Sequence, residues 1–397
     1  MTVWNRLPRR RVGAPVAALF VYLMSVYFEH GRSTYVKSYV KSYVYLANGL
    51  LHRELWMVPW WNQTINAAIW KGHPVPVDGL APVVFFLPLV AFYGVDAVNQ
   101  TLVATALGAL AVYFAWQFCE RSGVRPLLLV AFLFMGTDVV YCMWYGDQWL
   151  IASVAEVCAT MGGLAEIVRP KPRWWFVLAL AVFAAQSRGA LVLAFPLYAY
   201  ALKGTARKRF IVGLGSCCAI FSAYCFWFWG VPYDPGHTLF FHQDEWGMPT
   251  GSPFGLRYLP YGIQTFLFQS PDIVKGDRGA YAWPYFAPDF YGCALTFTSP
   301  ALVLALLART PRPFVTALWL TALAVAVPSF TFYANGAMQF GTRHSLDFIP
   351  FLFALMVIGV RDHRAMPRWG YALCWWSIAF GIWGEWYWEA FKRTGNS

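Results

Sequence analysis

Charge is what this sequence has least of. Only 12% of its 397 residues are Asp, Glu, Lys or Arg, about half the roughly 25% of an ordinary soluble domain. A chain of this size cannot hide so much apolar area from water, because surface grows almost as fast as mass. There is no CxxC pair, no zinc-finger spacing and no Gly-rich phosphate loop. The eight cysteines (119, 142, 158, 217, 218, 225, 293 and 374) lie in or beside apolar runs. They read as small buried hydrophobes, not as a disulfide framework or metal site. No strong internal duplication marks the two related halves of an ordinary secondary transporter. These absences predict no cofactor, no metal and no nucleic-acid partner.

What is present is hydrocarbon: 59% hydrophobic residues, with 33 Phe, 22 Tyr and 21 Trp. Apolar runs fall near 12–28, 79–95, 98–118, 126–144, 149–168, 174–186, 189–203, 210–230, 289–308, 313–333, 344–360 and 369–389. Most approach the about 20 residues that a transmembrane helix needs. The first follows Arg9-Arg10-Arg11 and ends in Tyr27-Phe28-Glu29 without a small-residue cleavage site, so an uncleaved helix is expected. The segments 174–186 and 189–203 are short and predict a helical hairpin tipped by Gln186-Ser187-Arg188.

Most of the 30 basic residues sit in short clusters: Arg6 to Arg11, Arg121/Arg125, Arg169 to Arg173, Lys203 to Arg209, Arg309/Arg312 and Arg361 to Arg368. The positive-inside rule places all of these in the cytoplasm. That requires 79–95 to be re-entrant or interfacial, which its Pro82 and Pro88 suit. The expectation is an all-α polytopic bundle of about eleven spans, one transmembrane domain over 1–397, N-terminus inside and C-terminus outside. Outer loops would then cover 29–97 and 231–288. The first carries a Tyr-Val-Lys-Ser repeat over 35–44, which predicts an amphipathic helix at the lipid interface.

Polar residues converge at the outer ends of the spans: Glu29, His30, Asp147 with Asp138 below it, Arg188, and Gln339 to Asp347. Ionisable groups are costly near hydrocarbon, so several at one level predict a shared polar cavity. Each also has a structural reading: Arg188 snorkelling, Asp147 capping the next helix, and Asp347 pairing with Arg343. In the second loop His237, His242, Asp244 and Glu245 are ligand types that could hold a divalent cation, but their spacing is not that of a firm metal motif, and a solvated loop is the expectation.

The order of segments resembles the GT-C superfamily of integral membrane glycosyltransferases, with bacterial members in particular. The likeness rests on Tyr-Val-Tyr-Leu-Ala-Asn-Gly-Leu-Leu-His (43–52), Gly136-Thr137 leading to Gly-Asp-Gln-Trp (146–149), Pro284-Tyr285-Phe286, Thr298-Ser299-Pro300 and, most specifically, Gln-Phe-Gly-Thr-Arg-His-Ser-Leu-Asp-Phe-Ile-Pro (339–350). It implies inverting transfer of a sugar from a polyprenyl-phosphate donor to a lipid, glycan or protein at the outer face of the cytoplasmic membrane. In that scheme Arg343, Arg188 and His344 would hold the donor phosphate. Gln339, Asp347 and Asp78 would line the substrate cavity, and Glu29, Glu54 or Asp147 would take the acceptor proton. The stretch matching the family's acidic juxtamembrane helices has Lys37, Lys41, Asn62 and Asn66 instead. A lipid or glycolipid flippase, or a non-catalytic subunit of the same fold, are the alternatives.

Overall fold

The computed structural model describes residues 12–31, 41–58, 67–77, 79–146, 148–243, 252–276, 279–336 and 339–392, with side chains for all of these except 28–31, 242, 243, 389, 391 and 392. Helix dominates, as apolar runs in lipid require: a helix satisfies its backbone hydrogen bonds within one segment. The all-α expectation needs one amendment. Two antiparallel hairpins are present, Ala67–Trp70 with His73–Pro76 and Asp272–Lys275 with Tyr281–Ala287. The first closes through Lys71 and Gly72, both at positive φ (50° and 82°), the backbone of a two-residue primed hairpin turn.

Four helices are long and apolar enough to cross a membrane: Gln100–Arg121, Gln148–Ile167, Gly204–Trp229 and Arg312–Phe330. Leu127–Met135 and Val139–Tyr145 make a fifth if this pair, bent by 54°, counts as one span. These helices mark a membrane protein. Four or five, not eleven, is the number among the described residues that meet this criterion. The other apolar runs are shorter or broken. Trp174–Ser187 has 14 residues, and the run after it divides into a 3-10 stretch, Gly189–Ala194, and a short helix, Phe195–Ala201, with Pro196 in its first turn. Leu295–Thr298 likewise gives way to the 3-10 stretch Pro300–Leu307. Helix Val83–Ala97 contains Pro88, is interrupted at Gly94 and has 15 residues, below the about 17 that crossing requires.

The chain forms two compact units. One combines Ala115–Tyr141 with the described residues from Phe254 onward. Its core is Ile349–Asp362, buried along nearly its whole length and packed against Pro300–Leu307 and Arg312–Phe330. Helix Arg368–Lys392 packs on Leu127–Met135, and the Ser299 hydroxyl donates to the Gly136 carbonyl at 2.6 Å. At one end of the core helix, Asp362 accepts the Arg309 and Thr310 amides at 2.8 and 2.7 Å and the Thr310 hydroxyl at 2.8 Å.

The other unit takes 12–114 and 142–253. Its axis is Gln148–Ile167, in which every residue of the apolar window is buried. Trp174–Ser187 packs between this helix and Gly204–Trp229. Glu166 pins the intervening turn, accepting from Arg169 at 3.1 Å and Arg173 at 3.0 Å. Gly204–Trp229 is the opposite case: 26 residues, apolar, and only 11% of its window buried. It ends at Gly230 in the left-handed region, whose amide bonds back to Phe226 at 3.0 Å.

The repeat predicted to lie at the lipid interface is placed differently where it is described. Residues 35–40 fall outside the described chain. Ser42–Leu51 is a helix, but Tyr43 and Val44 are fully buried. Tyr43 stacks on Phe86 at 6.2 Å, and Lys41 donates to the Val95 and Asp96 carbonyls at 3.4 Å. Packing of this helix against Val83–Ala97 has taken Tyr43 inward.

Candidate functional site: a polar cluster around Arg343

The segment 339–347 enters the core helix through the 3-10 turn Arg343–Asp347. Pro350 is tolerated in the first turn of the helix that follows, where no amide partner is lost. The tight turn presents its polar side chains within one short stretch. Arg343 is half-buried, whereas His344, Asp347 and Gln339 are buried.

The Arg343 guanidinium lies over Gly336. A Cβ there would sit 2.9 Å from its Cζ, and the backbone has φ of 89°, so both space and conformation require glycine. Asp138, 4% exposed, comes from the break between Leu127–Met135 and Val139–Tyr145. Its carboxylate abuts Gly341, where a Cβ would approach Oδ1 to 2.4 Å. Neither Asp138 oxygen has a hydrogen-bond partner among the described residues, and the charge of Arg343 acts on it. A buried carboxyl without hydrogen bonds is sustained by such a counter-charge, by a bound donor or by taking up a proton.

Hydrogen bonds extend the cluster. Gln339 donates to the Asn335 carbonyl at 2.6 Å and the Tyr291 carbonyl at 2.8 Å. The Tyr291 amide donates to Asp289 at 2.8 Å, and Gln269 donates to the other Asp289 oxygen at 2.7 Å. Asp138 and Asp289 both act electrostatically on buried Cys293, whose amide bonds to Phe340 at 2.8 Å. Ser329 reaches the His344 carbonyl at 3.3 Å and Asp347 at 3.4 Å. His344 meets Phe332 edge-on at 5.7 Å. The fully buried Asn335 amide has no side-chain hydrogen bond among the described residues.

Five of the residues singled out from sequence, Asp138, Gln339, Arg343, His344 and Asp347, therefore belong to one polar cluster. Arg188 and Glu54 belong to the other unit. The Gln186 carbonyl just before Arg188 accepts the Ala81 amide at 3.2 Å, and Arg188 acts on His237. Burial and the Arg188 charge push the His237 imidazole down to about 3, beside Trp149 and Phe241 at 6.3 and 4.6 Å. The Glu54 amide bonds to Gly49 at 2.8 Å. Asp78, Asp147, Asp244 and Glu245 lie outside the described residues, as do the side chains of Glu29, His30 and His242. No group of three metal-ligating side chains occurs among the described residues.

Asp289 and Asn335 were not singled out from sequence. Asp289 sits in an aromatic loop, Ala287 to Tyr291, with no polar neighbours to mark it. Asn335 follows an apolar span as an ordinary loop residue would. Neither a protein-family model, nor a curated protein, nor a solved structure matches this chain.

Proposed function

We propose that this protein is a membrane glycosyltransferase of the GT-C type, moving a sugar from a polyprenyl-phosphate donor to an acceptor hydroxyl. The observation that carries this reading is Arg343: a guanidinium laid over a glycine, next to a buried carboxylate, among further polar groups that include Asp289, His344 and Asp347. A planar cation held this way suits a phosphate that gains charge as it leaves. The acceptor oxygen would attack the anomeric carbon while the bond from that carbon to the phosphate oxygen breaks, inverting the centre. Polyprenyl phosphate would leave against Arg343, and the acceptor proton would pass to a carboxylate. Within this unit Asp289 is the better placed base, half-buried and oriented by two donors, whereas Asp138 serves to position Arg343. Glu29, Glu54 and Asp147 remain candidates from the sequence.

The proposal includes eleven membrane segments, counting the short and broken ones, N-terminus in the cytoplasm of a bacterium and the cluster on the outer side. The basic clusters support it; cysteine labelling from each side of the membrane would test it. For activity, purified protein is incubated with radiolabelled polyprenyl-phosphate sugars and an extract of envelope glycans. Transfer that disappears with Arg343→Ala supports the reading, and no transfer by the wild type from any donor of the panel defeats it.

Flipping of a lipid or glycolipid is the second reading. Glu156 and Glu385 favour it, both almost fully buried in helices, since a polar path across the membrane needs such groups. Lipid translocation in proteoliposomes without sugar transfer would select it.

A further inference from the structure

The unit that lacks Arg343 has a cavity. It measures ≈ 380 Å³ and is lined by Leu55, Trp56, Trp70, Lys71, His73, Val75, Trp227 and Phe228, within the about 300–1,000 Å³ typical of small-molecule sites. Hairpin Ala67–His73 forms one wall, and the last turn of Gly204–Trp229 another. The walls are fixed. Trp70 donates its indole N–H to the Phe228 carbonyl at 3.2 Å, and Trp56 stacks on His73 at 3.8 Å. Beneath lie Ala68, Val75, Cys225, Trp229 and Phe240, all buried.

We infer that this aromatic box is a saccharide-binding site for a pyranose carrying an anionic group, such as a sugar phosphate. Indole faces carry negative potential over a broad apolar surface, and they complement the polarised C–H face of a sugar ring. Trp227, 71% exposed, offers such a face. Lys71 is the one charged lining residue, the His73 imidazole adds a polar ring, and none of the lining residues is acidic, which selects an anion. An aromatic cage also suits quaternary ammonium groups. Here the Lys71 ammonium already stands 5.6 Å from the Trp70 ring, so a choline head would meet like charge. The box lies at the end of the long, little-buried apolar helix, where tryptophans meet the lipid headgroups, so a lipid-linked sugar phosphate reaches it as readily as a free one.

The inference rests on the transfer reading only in taking a sugar as the cargo. The test uses the full chain in phosphatidylcholine nanodiscs, free of glycoside detergent. Saturation transfer from aromatic protons is recorded for the 1-phosphates of glucose, galactose and mannose, for methyl glucoside, and for glycerol phosphate. Ring protons of at least one hexose phosphate should be saturated, and glycerol phosphate should not. Trp227→Ala should weaken the apparent Kd about tenfold, the scale of one lost stacking contact. Lys71→Asn, which keeps a residue suited to positive φ, should weaken hexose phosphate and spare methyl glucoside. Saturation of glycerol phosphate equal to the sugars would make this a phospholipid site. No hexose phosphate signal, or unchanged affinity in both variants with unaltered melting, would overturn the inference. A short polyprenyl-phosphate sugar outcompeting the free hexose phosphate identifies the lipid-linked source; equal competition identifies the free one. Binding is read without turnover. A box that fails while transfer persists removes this inference alone, and binding without transfer removes only the proposed activity.

Discussion

The two sites solve opposite problems. Around Arg343 the groups are polar and come from a single unit: buried Asp138 feels the Arg343 charge without a hydrogen bond among the described residues, while Gln339, Tyr291 and Asp289 are joined by hydrogen bonds. At the aromatic box the lining is mostly indole and phenyl, and Lys71 is its one charged residue. A low-dielectric polar cluster strengthens every charge interaction within it. An aromatic box instead gains from contact area and shape. Chemistry on a phosphate belongs in the first kind of site, and recognition of a ring in the second.

That contrast can be broken at several points. Arg343→Ala should lower transfer by about 10²–10³-fold, the scale of losing one preorganised charge stabiliser, while hexose phosphate binding at the box is retained. Arg343→Lys should recover little of it, since an ammonium cannot reproduce a planar two-pronged contact. Next in size is Gly341→Ala. The added methyl would stand 2.4 Å from Asp138 Oδ1, so the carboxylate must move. Turnover should drop about tenfold, with a stability loss of about 1–3 kcal/mol for overpacking one methyl. A stability loss of that size with unchanged turnover would show Asp138 to be structural only. Asp289→Asn should reduce kcat and leave donor KM in place; an unchanged kcat would return the role of base to the sequence candidates.

Smaller effects should appear away from both sites. Asp362→Ala removes the acceptor for two amides and a hydroxyl, at a cost of about 1–2 kcal/mol in denaturant titration. His237 binds its proton less readily folded than unfolded, so stability from this group is complete above about 6.5 and is lost as pH falls toward about 3. His237→Asn should flatten that part of a melting-versus-pH curve. An unchanged slope would show that His237 opens to solvent in the folded state.

Membrane character and the polar turn at 339–347 were legible because both are local. Low charge and long apolar runs need no tertiary information, and Gly, Arg, His and Asp in close succession announce a special backbone. The number of spans was not legible. Hydropathy sees that 189–203 and 289–308 are apolar, but not that the backbone there turns 3-10 and breaks. Hairpin 67–76 was missed because its turn is Lys-Gly, where the common signal is Asn-Gly. Tyr43 looked interfacial for its spacing and is buried because a neighbouring helix covers it. The basic clusters have a second use that counting cannot reveal. Arg169 and Arg173 are tied to Glu166, so a cluster counted for its charge also holds a turn.

Helix Gly204–Trp229 carries one further consequence. Its 26 residues rise about 39 Å, against about 30 Å of hydrocarbon. Lys208 and Arg209 in its first turns and the aromatic residues from Phe226 to Trp229 set two anchors about 26–32 Å apart along the axis, close to that thickness. A thinner membrane must tilt this helix or stretch around it, and a thicker one lets it stand. Trp227 and Phe228 move with that far end, which makes bilayer thickness a setting on the height of one wall of the aromatic box.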